Sequence, residues 1–270
     1  MKKKKAVCML VILSVFLILA LFGKKLAPHD PYQSNLMAAN QKPCAEYPLG
    51  TDNLGRCVLS RILEGAAVSV YSALGVVAVV FAVGTLIGVV AGYGGGWIDQ
   101  LLMKITVVFQ AFPSFILAVA VAGMLGPGLR NAMLSLVSMY WTTYARLARS
   151  LVLQLKSETY IQAAQMCGAK KWQILFYHIL PGILSPMLLT AVLDISNVIL
   201  SMAGLSFLGL GVQAPMAEWG LMISNGKAFL QTAPWLILFP SLALFLTVIL
   251  FNVTGDSLRD ALNERGEQDA

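Results

Sequence analysis

The side chains best equipped for chemistry are few, and their spacing points away from catalysis. His29 and His178 are the two histidines, and neither has cysteines or carboxylates around it at metal-ligand spacing. No HExxH is present, and no nucleophile is followed by a base. Cys8, Cys44, Cys57 and Cys167 form no CxxC pair. Cys44 and Cys57 share one inter-helix segment, so a disulfide is conceivable; two separate free thiols is the reading adopted. A phosphate loop is approached only at Gly220, Gly226, Lys227 and Ala228, where the glycines stand one residue too far apart. Ala228 also replaces the hydroxyl that would hold Mg²⁺. What remains is polarity inside apolar stretches: Asp194, Asn197 and Ser201, with Asn252 and Asp256 further on. Polar groups in hydrocarbon are expensive and mark either a path or a helix-helix contact. Both readings stay open for Asp194.

The elements that must position these groups follow from composition. Of 270 residues, 58% are hydrophobic and 12% charged, with a mean hydropathy of +0.75. A water-soluble domain carries roughly a quarter charged residues, so lipid is the solvent for most of the chain. The net charge of +6 does not indicate nucleic acid, because the basic residues are scattered at the ends of apolar segments. A spanning helix needs about 20 apolar residues. On that rule the expectation is an all-α membrane protein with six transmembrane helices near 6–23, 68–91, 101–125, 132–153, 182–206 and 236–255. Residues 1–67 form a first helix and an extracytoplasmic loop, and 68–270 a five-helix unit. The apolar run after Lys2–Lys5 is longer than a signal-peptide core and ends in Lys24 and Lys25, so it reads as an uncleaved helix. Twelve basic residues fall on the side of Lys2–Lys5 and seven on the other. That bias places both termini in the cytoplasm. Gly84, Gly88 and Gly92 lie four apart, a face that lets helices approach closely. Pro113 and Pro186 mark breaks or kinks.

The segment from Lys156 to Pro181, KSETYIQAAQMCGAKKWQILFYHILP, is long for a helix connection. Its pattern predicts two short helices hinged at Gly168, a knob suited to a groove on a soluble partner. The spacing of Gln162, Ala163, Ala164, Gly168, Ala169, Lys170, His178, Leu180 and Pro181 resembles the EAA loop of binding-protein-dependent ABC importer permeases. Gln162 stands where that family usually has Glu, and His178 is of the kind found in the peptide and nickel branch. "PLGTDNLGRCVLSRILEGAAVS", "GYGGGWIDQLLMK", "WTTYARLARS", "AGLSFLGLGVQAP", "EWG" and "GDSLRD" continue the resemblance in order along the chain. Cys57 replaces an Asp usual in the family, and Val107 stands where an Asp commonly follows.

The resemblance implies a MetI-like ABC importer permease fold whose loop is a coupling helix docking on an ATPase. It implies a second, non-identical permease subunit, two ATP-binding subunits and an extracytoplasmic substrate-binding protein. ATP and Mg²⁺ would sit on the partner subunits, with no cofactor in this chain, in a bacterial cytoplasmic membrane. Asp194, Asn197 and Ser201 become candidates for the translocation path, and Glu218 and Trp219 candidates for facing the binding protein. The stretch Ala214–Gly220 resembles nickel permeases, so the expected cargo is nickel, free or chelated, with dipeptides or oligopeptides as the alternative. Two other classes fit less well. An intramembrane enzyme lacks its residues, and a stand-alone carrier would show two related halves.

Overall fold

The computed structural model describes the backbone of residues 2–266 and the side chains of 4–262. The expectations resting on Lys2, Lys3, Arg265 and the two termini therefore lie outside the described side chains. The order of elements is α1 (Lys2–Leu21), α2 (Gly23–Leu26), a 3₁₀ turn (Leu36–Ala38), α3 (Val58–Gly94), α4 (Gly96–Gln110) and α5 (Ser114–Leu125). Then come α6 (Leu129–Lys156), α7 (Thr159–Met166), α8 (Lys171–Ile174), a π turn (Leu175–Ile179), α9 (Leu180–Phe207), α10 (Trp219–Gly226), a second 3₁₀ turn and α11 (Trp235–Gly266). Among the described residues β-structure is limited to one bridge between Thr51 and Cys57.

Four of the expected spans are long and apolar enough to cross a membrane: α1, α3, the α8–α9 run and α11. The stretch expected as one span at 101–125 is two helices, α4 and α5, bent by 87°. Pro113 has no amide hydrogen and forces Phe112 out of the helical region, so α4 stops and α5 begins beyond it. Counting the bent pair as one gives five. The remaining helix, α6, is 28 residues, about 42 Å at 1.5 Å per residue. It is less apolar than the other spans, because Arg130, Arg146, Arg149 and Lys156 flank a stretch diluted by Asn131, Ser135, Ser138, Thr142 and Thr143. The expected six are thus not met by length and composition alone. A further correction concerns α3, which begins at Val58 rather than 68. Arg61 lies in its first turns, where its guanidinium donates to the carbonyls of Pro31 and Pro215 at 3.0 and 3.4 Å and is hidden from solvent.

The glycine stripe accounts for how α3 meets α6. A Cβ on Gly84 would lie 2.5 Å from Tyr144 Cβ, and one on Gly88 would lie 2.3 Å from the Ala145 carbonyl. Gly92 closes the row against Arg149 and Val152. In lipid there is no hydrophobic drive between helices, so such close packing supplies the attraction. Val70, Ala73, Val76 and Val80 of α3 share one buried core with Leu136, Ala148 and Val152 of α6 and Ile183, Met187, Ile199 and Met202 of α9. By contrast Val7, Val11, Val15 and Ile18 of α1 are exposed, as a lipid-facing helix requires.

Candidate functional site

The loop between α6 and α9 is built by local rules that its sequence spells out. At the end of α7 the Ala169 amide donates to Ala164 O at 3.0 Å and the Gly168 amide to Gln165 O at 3.0 Å. This crossed pair is a Schellman cap, which needs a left-handed residue at its corner. Gly168 supplies it with φ +84°. Lys170 then precedes α8, and its amide donates to Gln173 Oε1 at 2.8 Å. Pro181 has no amide hydrogen to donate to the helical ladder, and the chain widens into the π turn just before it.

Three isoleucines, Ile161, Ile174 and Ile179, anchor the loop and are fully buried or nearly so. Around them the surface is open and aromatic: Tyr160, Trp172, Phe176 and Tyr177 are exposed, and Met166 is 88% exposed. Gln162 and Ala163 are exposed on α7, with Gln162 Nε2 donating to Ser157 O at 3.2 Å. His178 is half-buried beside Tyr160, with ring centres 6.1 Å apart, while Leu180 is half-buried and Pro181 exposed. The loop is tied back to the core. Tyr93 donates from its hydroxyl to Lys171 O at 2.7 Å, and Lys156 Nζ donates to Gly92 O and Tyr93 O at 3.2 and 3.3 Å. The ammonium thus caps the C-terminal carbonyls of α3, where a positive charge is favoured by about 0.3–1 kcal/mol. A cleft of about 470 Å³ lies between Tyr93, Lys156, Gln165 and Lys171.

A second constellation runs along α9. Asn197 Nδ2 donates to Asp194 Oδ1 at 3.2 Å, Ser201 Oγ donates to Asn197 O at 2.8 Å, and Ser201 Oγ shares a 3.1 Å hydrogen bond with the Tyr140 hydroxyl of α6. Asp194, Asn197 and Ser201 therefore form one continuous polar seam near the middle of α9, reaching α6. Tyr144 extends it with a buried hydroxyl beside Asp194. At the bend of α4 and α5, Gln110 Nε2 donates to Thr142 Oγ1 at 3.2 Å, beside a chamber of about 170 Å³ also lined by Ser114, Tyr140 and Thr143.

Glu218 and Trp219, expected to face outward, turn inward instead. They are 1% and 2% exposed. Glu218 is the N-cap of α10, accepting from the amides of Gly220 and Leu221 at 2.9 and 2.8 Å and from Ser69 Oγ at 3.3 Å. Trp219 donates to Ile62 O at 3.0 Å. An orphan helix end and a large ring both find partners within the fold, which is why neither is left for a surface role. Burial pushes the Glu218 carboxyl above its usual range, against the amides and hydroxyls that favour its charged form.

Sequence reasoning missed three ion pairs. Asp99 of α4 accepts from Arg149 of α6 through both oxygens, at 2.5 and 2.6 Å. The single acid of one quoted motif and one of the two arginines of another were the available signal. Asp52 binds Arg56 at 2.7 Å and stands 3.7 Å from Arg61. All four cysteines are free, with Cys57 buried.

Residues 84–267 match the family described as the binding-protein-dependent transport system inner membrane component. Residues 1–43 match the N-terminal transmembrane domain of oligopeptide transport permease C. The chain belongs to this permease family. A dipeptide transport system permease of Alkalihalophilus pseudofirmus is 41% identical over 264 residues, 98% of this chain and 87% of that one. A nickel transport system permease of Escherichia coli K12 is 38% identical, covering 94% of this chain and 92% of that one. A glutathione transport system permease of Pectobacterium atrosepticum is 40% identical, at 93% and 84% coverage. The fold is similar to the MetNI methionine ABC transporter in inward-facing conformations, with a TM-score of 0.60 at 19% identity over 74% of this chain and 95% of that one. The chain is thus a multi-pass inner-membrane permease subunit of an ABC importer, a family in which partner subunits hydrolyse ATP. The relatives carry dipeptide, nickel and glutathione names, so the expectation of nickel is not singled out.

Proposed function

We propose that this subunit imports a small peptide, or a compound of peptide size and polarity, through a path lined by the α9 seam. The observation that carries this reading is the seam's chemistry. Asn197, Ser201 and Tyr140 offer an amide and hydroxyls, with Asp194 as its carboxylate. Such groups suit the amides and single ammonium of a peptide better than the full ligand shell a bare divalent cation would need. The dipeptide and glutathione names among the relatives support the same class. Nickel, free or carried as a chelate, is the second reading, favoured by the resemblance of Ala214–Gly220 and by the nickel relative.

In this reading the α7–α8 knob docks on an ATP-binding subunit, and Gln162, Ala163, Met166 and Lys170 are presented for that contact. A second permease subunit completes the path, and a binding protein delivers cargo on the far side. Helix α6 is the sixth span, with Arg149 near its end paired to Asp99 of α4. Both termini and the knob then share the cytoplasmic side, in line with the basic-residue bias. The two-part division at 67–68 separates a peripheral first helix and loop from the transporting unit.

Uptake in cells with the gene deleted and restored tests the cargo. Radiolabelled dipeptide entering only after restoration, and unaffected by excess nickel, is the expected result. Restored nickel uptake that ignores excess dipeptide would sink the peptide reading and leave the importer itself standing.

A further inference from the structure

At the end opposite the knob, the turn at Asp52–Arg56, the first turn of α3 and the α10–α11 corner enclose a cavity of about 20 Å³. Asp52, Asn53, Arg56, Arg61 and Asn225 line it. A space of that size takes a single water-sized particle. Two guanidiniums and one carboxylate meet at its wall, all withdrawn from solvent: Arg56 is 7% exposed, Arg61 2% and Asp52 9%. Asp52 is already spent. Its Oδ1 accepts from the amides of Leu54 and Arg56, each at 2.9 Å, and its Oδ2 from Arg56 Nε at 2.7 Å.

Arg61 places its terminal nitrogens on the carbonyls of Pro31, Pro215 and Met216, which satisfy its hydrogens and leave its charge in place. The terminal nitrogens of Arg56 donate to no protein acceptor among the described residues. Arg56 also repels Arg61, and Asp52 is the acidic side chain that offsets it. One positive charge is left over. Buried charge without a counter-charge is strongly destabilising, and the N-terminal end of α3, which opens on the same cavity, adds to the positive field. A water there would satisfy Arg56 hydrogens and leave the charge uncancelled.

We propose that this cavity binds one small monovalent anion, chloride foremost, held by Arg56 beside Arg61. The ion fastens the 27–57 segment to the corner of α3, α10 and α11.

The test uses the importer purified with its partner subunits, unfolded thermally in sodium chloride, bromide or gluconate at matched ionic strength. Chloride and bromide should raise the midpoint saturably over gluconate, and Arg56→Gln should lose that difference. Asn225→Asp puts a fixed carboxylate on the wall and should make the midpoint indifferent to halide. It keeps the test open where Arg56→Gln does not fold. Bromide anomalous diffraction should show a peak between the two guanidiniums. Equal midpoints in the three salts, halide dependence that persists in Asn225→Asp, or a map without that peak would each overturn the site.

Discussion

Cys57 opens the longest helix of the molecule from the N-cap position, with extended backbone (φ −63°, ψ 118°) and no side-chain hydrogen bond to the first turn. A hydroxyl there would accept from an orphan amide at nearly the same volume. Cys57→Ser should therefore stabilise the protein by about 0.5–1 kcal/mol, seen as a higher unfolding midpoint; an unchanged or lower value would contradict this. Glu218 has the opposite character, a good cap in an unfavourable place for charge. Its folded pKa lies above the ordinary value of 4.5 because it is buried, so the folded state holds the proton more tightly than the unfolded one. That contribution is complete below the ordinary value and is lost as pH climbs through the raised folded value. Stability should fall across that window in the native chain, and the Glu218-dependent part of the slope should vanish in Glu218→Gln. Parallel pH profiles for the two proteins would refute it. The difference between these residues also marks what sequence can reveal. The Ala164–Gly168–Ala169 cap was legible because its partners lie within one turn. The burial of Glu218 was not, since it depends on Ser69 of α3, far away in the chain.

At the scale of elements, the α3–α6 contact sets the tolerance of the bundle. Gly88→Ala must push the Ala145 carbonyl aside, and overpacking of this kind costs about 1–3 kcal/mol. Gly123 of α5 has nothing within 4 Å of a would-be Cβ, so Gly123→Ala should be neutral or slightly stabilising, by up to about 1 kcal/mol from helix propensity. Thermal unfolding of the pair decides it, and equal effects would show that the glycine row is not a packing device. This row was readable from a four-residue period alone. The 87° turn of α4 into α5 was not; Pro113 announces a break, but its angle is set by what the two halves pack against. Helix α6 reads as a span despite its arginines, and the partner of one of them, Asp99 on α4 for Arg149, is invisible until the helices are assembled.

On the scale of the whole molecule, orientation is the property most open to direct measurement. Cys167 is exposed on the knob, Cys44 is half-buried on the long loop, and Cys57 is buried. In membranes expressing the permease without its ATP-binding subunits, a membrane-impermeant maleimide should label Cys167 in inside-out vesicles and not in right-side-out ones. Cys44 should show the reverse pattern, and Cys57 should react in neither. Labelling of Cys167 from outside would invert the topology. The knob's attachment has a mechanical corollary. Its base is bonded to the end of α3 through Tyr93 and to that same end through Lys156 of α6, while the glycine row leaves those two helices no slack to slide. A push on the knob therefore turns α3 and α6 together as one stiff lever. The compliance that any stroke requires must be found where the chain is already hinged, between α4 and α5.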